Sequence, residues 1–276
     1  MAMRSLQGQT AWVIGGAGLI GRGIAHGLLR AGATVIVNSR HANRLTSLAE
    51  ELGHPEKLVT INGSMMAGDA ERTAAEALGV TGGMLSHVVA HSGVAWWSRE
   101  SRDESSTLAA KALLSLSADE FATHAAQLPA LHFSALRTLL PRIHPAEGGA
   151  STYTFVTGGT DGAAGSYVAP LAQLNAHAVY GLAAAARAEL INSPLKVAEL
   201  RVNLGINRPA DERAADPRER PLSLDIGAIV AGVAADPEPK GVFSSSFLEL
   251  NTNADVTAMR ERFPVRDAAV RSTYGP

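Results

Sequence analysis

Thr10-Ala-Trp-Val-Ile-Gly15-Gly-Ala-Gly18-Leu-Ile-Gly21-Arg-Gly-Ile-Ala-His-Gly-Leu-Leu-Arg-Ala-Gly32-Ala-Thr34-Val-Ile-Val-Asn38 reads as strand, turn, helix and strand in direct succession. The apolar run from Thr10 to Ile14 stops at Gly15. Ile20, Ile24 and Leu28 then recur four apart, which is helical spacing, until Gly32 closes the pattern. The β-branched run Thr34 to Asn38 suits a strand buried on both faces. Gly15, Gly18 and Gly21 fall between the first strand and the first helix. There glycine lets backbone N–H groups approach a pyrophosphate, and the helix N-terminus adds partial positive charge. A glycine string alone is a weak signal, and the strand–turn–helix–strand context is what strengthens it.

The same alternation continues outward. A helix is predicted from Ala42 to Leu52, ending at Gly53, with a third strand from Leu58 to Ile61. Asp69 is placed to cap a helix running to Leu78. His87 to Ala90 is a fourth strand, followed by a polar insert at about 98–106. Ser117 and Glu120 have capping-box spacing and open a long helix toward Leu140, with Pro129 inside it as a point for a kink. Thr152 to Thr157 is a fifth strand. An alanine-rich helix runs from about Leu171 to Ile191 with Pro170 just before it, and Lys196 to Val202 is a sixth strand. The Pro- and charge-rich stretch 207–221 suits a lid or surface loop. A helix from Ile226 to Ala234 and an apolar run from Val242 to Leu250 complete the chain. The expectation is α/β in a single domain over 1–276, a doubly wound parallel sheet (Rossmann fold) of about seven strands.

Composition narrows the function. A net charge of −2 without a basic tract argues against nucleic acid or an anionic membrane as a partner. The absence of cysteine excludes disulfides, thiolate nucleophiles and Cys-ligated zinc. No apolar run is long enough to span a bilayer, and the N-terminus lacks a signal core, so a cytoplasmic protein is expected. No metal site is expected. His87 and His91 share a strand face but lie about 13 Å apart there. Trp96 and Trp97 follow the fourth strand, either lining a pocket or anchoring the insert.

The second strand ends in Asn38-Ser39-Arg40. No acidic residue stands there to take the ribose hydroxyls of NAD. Arg40 beside the small Ser39 suits a 2′-phosphate and hence NADP(H), unless Arg40 is simply a solvated cation.

With these residues in view, the chain resembles the short-chain dehydrogenase/reductase family along nearly its whole length. VNSRHANRLTSLAEEL (37–52) resembles the family's NADP-type second strand and helix, and LSHVVAHSGV (85–94) stands where an Asn-Asn-Ala-Gly strand end usually lies beside the cofactor. LSADEFATHAAQLPALHF (116–133) resembles the long subunit-interface helix. YTFVTGG (153–159) resembles the strand that delivers the catalytic serine. The resemblance implies cofactor contacts from Gly15, Gly18, Leu19, Ile20, Gly21, Asn38, Ser39, Arg40, Asn62, Gly63, Ala90, His91 and Ser92. It also implies a homo-oligomer, dimer or tetramer, and a small-molecule substrate.

The family's proton-transfer machinery is missing. Aligned on Gly181-Leu182, the Tyr and Lys positions fall on Ala172 and Ala176, the Ser position on Gly158 or Thr157, and the Asn position near Leu128, beside Gln127. Independently of alignment, none of Lys57, Lys111, Lys196 and Lys240 follows a tyrosine by four residues. Three readings stay open: an NADPH-dependent oxidoreductase with another acid, a non-redox enzyme such as a cyclase, isomerase or lyase in an enlarged cleft, and a nucleotide-binding protein without turnover. Tyr167, Thr157 and His91 are the replacement catalytic groups singled out, with His177 a weaker one.

Overall fold

Alternate residues of the strands enter two different cores, which is why a helix layer covers each face of the sheet. The computed structural model describes residues 5–91, 93, 108, 111–144, 151–158, 170–206, 221–236 and 247–264. Strands β1 (Thr10–Ile14), β2 (Thr34–Ser39), β3 (Leu58–Asn62), β4 (His87–Ala90), β5 (Thr152–Gly158), β6 (Lys196–Val202) and β7 (Phe247–Leu250) form one seven-stranded sheet in the order β3-β2-β1-β4-β5-β6-β7. Every neighbouring pair is parallel. Ala11 and Val13 of β1 pack with α1 (Leu19–Arg30), α2 (Ala42–Glu51) and their neighbours, whereas Trp12 and Ile14 pack into the opposite core. That second core is covered by α3 (Ala70–Val80), α5 (Gln127–Leu139) and α6 (Pro170–Glu189). The expected doubly wound fold is the one observed.

Four local expectations change. The single helix from Ser117 is two, α4 (Ala118–His124) and α5, separated at Ala125 and Ala126. The capping box of Ser117 and Glu120 forms as expected. Pro129, however, has no N–H to give, and its ring would strike the carbonyl four residues back, so it is accommodated only in a new first turn. Asn175 of α6 stitches the break: its Oδ1 accepts from Leu128 N at 2.9 Å, and its Nδ2 donates to His124 O at 2.9 Å. Asp69 precedes α3, but its carboxylate pairs with Arg72 at 2.9 Å instead of capping the helix. Helix α7 (Ser223–Ala234) starts a turn earlier than expected, with Asp225 accepting from Leu222 N at 2.8 Å. A last helix, α8 (Asn253–Arg262), was not expected from apolar periodicity, because Val256 is its only buried residue. Its Thr252/Asp255 capping box was nonetheless present in the sequence.

Helices α1 and α7 meet backbone to backbone. A Cβ on Gly227 would lie 1.8 Å from Gly23 O, and one on Gly27 would lie 2.3 Å from Gly227 C. No described helix is long and apolar enough to cross a membrane.

At the opposite end of the sheet from the glycine turn, His87 is fully buried, with Nε2 2.6 Å from Gln9 Oε1 and Nδ1 3.0 Å from Thr152 Oγ1. Gln9 Oε1 can only accept, so Nε2 carries the proton and Nδ1 accepts from Thr152. Burial pushes the His87 pKa down to about 4.

Two predictions follow from packing and burial. The folded His87 pKa lies below the unfolded value of 6.5, so unfolding takes up a proton between the two. Stability is therefore full above pH 6.5 and falls toward pH 4, by about 3 kcal/mol at most from this residue. Urea unfolding across that window reads the slope, and His87→Gln makes it shallower. Gly227→Ala costs about 3 kcal/mol or more by forcing α1 and α7 apart. Gly181→Ala, with open space around its Cβ, gains about 0.5–1 kcal/mol in helix propensity. Equal melting temperatures for the two variants would contradict the close packing.

Candidate functional site

The C-terminal edge of the sheet carries a glycine turn and an adjoining cleft, at the point where strand order reverses between β1 and β4. Gly15 adopts φ +76°, a conformation few other residues take, and Gly16 packs so closely on β2 that a Cβ would reach Val37 at 2.7 Å. A Cβ on Gly21 would meet Gly15 O at 2.3 Å. Gly18 is the N-cap of α1 and offers no side-chain cap, and the first turn of α1 holds no acidic residue. Its N–H groups therefore face a cradle emptied of side chains, which fits a pyrophosphate. Arg22 braces the turn against α2, donating through Nε to Ala17 O at 3.1 Å and pairing with Glu51.

The other expected cofactor contacts surround this turn. Arg40 is exposed just past β2, and Ser39 Oγ accepts from His41 N at 3.1 Å. The Asn38 side chain is turned inward: Oδ1 accepts from Trp12 Nε1 at 2.9 Å and Nδ2 donates to Gly63 O at 3.1 Å. It fixes the strand ends, so only its backbone remains for a ligand. Asn62 is exposed at the end of β3, and Gly63 is buried against Thr73. Ala90 is buried, and His91 N donates to Ile14 O at 3.1 Å, joining β4 to β1 beside the turn. Ser92, Tyr167, Trp96, Trp97, the insert at 98–106 and residues 207–220 of the lid stretch lie outside the described residues.

Leu19 and Ile20 of α1 also form one wall of a cleft of about 220 Å³. Leu128, Val156, Val179, Val202, Leu204 and Ile206 make it mostly apolar, and His91, His132, Thr157 and Tyr180 bring the polar chemistry. Ala176 faces this space, while Ala172 is fully buried.

The polar groups differ in what they can do. Thr157 Oγ1 donates to Glu199 Oε1 at 3.0 Å, so its proton is committed and its lone pairs remain. Glu199 is fully buried on β6, accepts from Arg201 at 3.1 and 2.8 Å, and pairs with Arg187. Arg201 in turn lies 3.9 Å from the Tyr180 ring centroid. His91 is half-buried with Nδ1 enclosed, and burial, with a smaller contribution from His132, pushes its pKa down to about 4. At neutral pH it is an uncharged imidazole and a poor proton donor. His177 is exposed and accepts no role in the cleft, its Nδ1 lying 2.8 Å from Gln173 O. Among the described residues no cluster of His, Asp or Glu is arranged to hold a metal ion.

Tyr180 and the Glu199–Arg201 pair escaped sequence reasoning. The signal was faint: Tyr180 lies four residues beyond Ala176, hence on nearly the same helix face.

With the geometry established, the comparisons with known proteins fall into place. No curated protein matches the sequence significantly. The family model described as NADP oxidoreductase, coenzyme F420-dependent, matches residues 12–93, which run from β1 past the end of β4. Three-dimensional likeness extends much further. The chain is similar to Pseudomonas aeruginosa RhlG in its NADP active-site complex, with TM-score 0.71 and 21% identity over 92% of this chain and 100% of that one. It is similar to 3-ketoacyl-(acyl-carrier-protein) reductase from Brucella melitensis complexed with NADH, with TM-score 0.68 and 18% identity over 89% and 98%. A metagenomic short-chain oxidoreductase in complex with NADP gives TM-score 0.65 and 18% identity over 89% and 97%. The fold is that of the short-chain dehydrogenases.

Gly158, one of the two residues where the resemblance would set a serine, is closed to a side chain. It adopts φ +122°, and a Cβ there would lie 2.0 Å from Val202 O. Gly158→Ser is therefore expected to destabilise by about 2 kcal/mol or more and to create no activity. A variant as stable as the parent would show that the β5 end can rearrange.

Proposed function

We propose that this chain is an NADP(H)-dependent oxidoreductase that acts on a small, largely apolar carbonyl compound without the Ser-Tyr-Lys machinery. The observation that carries the reading is continuity: the first turn of α1 is at once the uncapped N-terminus of the phosphate cradle and, through Leu19 and Ile20, a wall of the apolar cleft. A dinucleotide anchored at the turn brings its reactive ring toward that cleft. When bound, the nicotinamide supplies the hydride.

The chain's own residues do the rest. The backbone N–H groups of Leu19, Ile20 and Gly21 hold the pyrophosphate, and Gly16 and Gly21 keep the cradle free of side chains. Arg40, exposed beside Ser39, takes the 2′-phosphate. The apolar walls exclude water and favour a substrate with one polar group. The Thr157 hydroxyl donates to Glu199 and so offers the site a lone pair. Phe121, Phe133 and Leu174 are exposed on α4, α5 and α6, which supports association of copies through these helices.

A non-redox reading draws on the same cleft, since Ala172 and Ala176 are small where the resemblance would set a tyrosine and a lysine. One titration separates the two. Quenching of tryptophan fluorescence by NADPH and by NADH is expected to show the tighter constant for NADPH. Arg40→Ala should weaken NADPH by about tenfold, roughly the worth of one charge-assisted contact, and leave NADH unchanged. If neither nucleotide binds, the oxidoreductase reading fails and the cleft is to be probed with apolar ligands alone.

A further inference from the structure

We infer that Tyr180 is the catalytic proton donor of the cleft, delivering its hydroxyl proton to the carbonyl oxygen of a compact apolar ketone; this rests on the oxidoreductase reading above. Four observations meet at this residue. Tyr180 lines the cleft together with Thr157, Ala176 and His91. Tyr180 lies one turn beyond Ala176, whose methyl leaves the cleft open on that side, while the His177 ring packs 5.2 Å from the Tyr180 ring on the other. Arg201 holds a guanidinium 3.9 Å from the ring centroid. Glu199, wholly buried, fixes that guanidinium through two contacts at 3.1 and 2.8 Å.

Thr157 and His91 are less suited to the role. The Thr157 hydroxyl already donates its hydrogen bond to Glu199. His91 is an uncharged imidazole at neutral pH. Tyr180 alone combines a hydroxyl with a fixed cation against its ring, and that cation stabilises the negative charge that grows on the phenol oxygen as the proton leaves. The arrangement keeps the chemistry of a tyrosine beside a cation but takes the cation from β6. In the step, the carbonyl carbon gains a hydride with reduced nicotinamide as reductant, and the π pair moves to oxygen. That oxygen bonds the Tyr180 proton, and solvent reprotonates the phenolate.

The test uses the full chain and cyclohexanone labelled with ¹³C at the carbonyl. In the wild-type protein the bound carbonyl resonance lies downfield, as for a hydrogen-bonded ketone. Tyr180→Phe, with an unchanged melting temperature and NADPH constant, moves it upfield by several ppm. The same variant lowers the rate of NADPH oxidation about 10²-fold or more. An unchanged resonance in the variant, or a wild-type cleft that takes up no ketone, overturns the assignment of Tyr180. A resonance that depends on Tyr180 in a protein that binds neither NADPH nor NADH overturns instead the oxidoreductase reading, and the proton-donor role with it.

Discussion

Helix α1 is held at van der Waals limits on three sides, and the rest of the molecule is arranged around that constraint. The loop that leads into it is pressed on β2 through Gly16, its first turn on that loop through Gly21, and its middle on α7 through Gly23 and Gly27. None of these contacts leaves room for a Cβ. Glycine costs about 0.5–1 kcal/mol per helical position relative to alanine, so the three glycines of this helix are a standing conformational penalty. Close packing on α7 offsets it by dispersion and by burial of Ile226, Ile229, Val230 and Val233. What the arrangement fixes is the position of the α1 N-terminus relative to the ends of β1 and β4, and the cradle depends on that position.

The far side of the cleft obeys a different constraint, an electrostatic one. Glu199 is buried in the sheet, and a carboxylate there is tolerable only with its partners in place. Arg187 from α6, Arg201 from β6 and Thr157 from β5 supply them, so one buried charge ties three elements together. The same partners reach the cleft surface through Thr157 and, by way of Arg201, Tyr180. Ala176 brings no charge to this wall of the cleft, and the nearby cation is Arg201, on the strand behind Tyr180.

Local patterns made the framework legible and long-range contacts hid the site. The parallel strands announced themselves as short β-branched runs, and the glycine turn by its place between strand and helix. The break after His124 could be read only in part: Pro129 marked the neighbourhood, but the displacement of the break to Ala125 and Ala126 depends on Asn175, which comes from another helix. Asn38 looked like a ligand contact because it ends a strand beside Ser39 and Arg40. It proved to be a brace because Trp12, invisible to any local window, donates to it. Helix α8 escaped because it turns almost no apolar surface inward. Arg201 and Tyr180 lie 21 residues apart in the sequence, and nothing local links them.

That last pair bears on how an active site can change its parts within a fixed fold. Hydride transfer to a carbonyl asks the protein for a donor near the oxygen and for positive charge to ease the donor's loss of a proton. Neither demand names a sequence position. Helix α6 offers successive residues four apart along one face, each leaning toward the cleft end of the helix. A donor lost from one turn can therefore be met by a side chain rooted deeper, provided the intervening residue is small. Ala176 satisfies that condition. A donor rooted deeper in turn draws the reacting carbonyl further into the apolar part of the cleft. Residues that read as losses when compared position by position are, in this geometry, what lets Tyr180 reach the cleft.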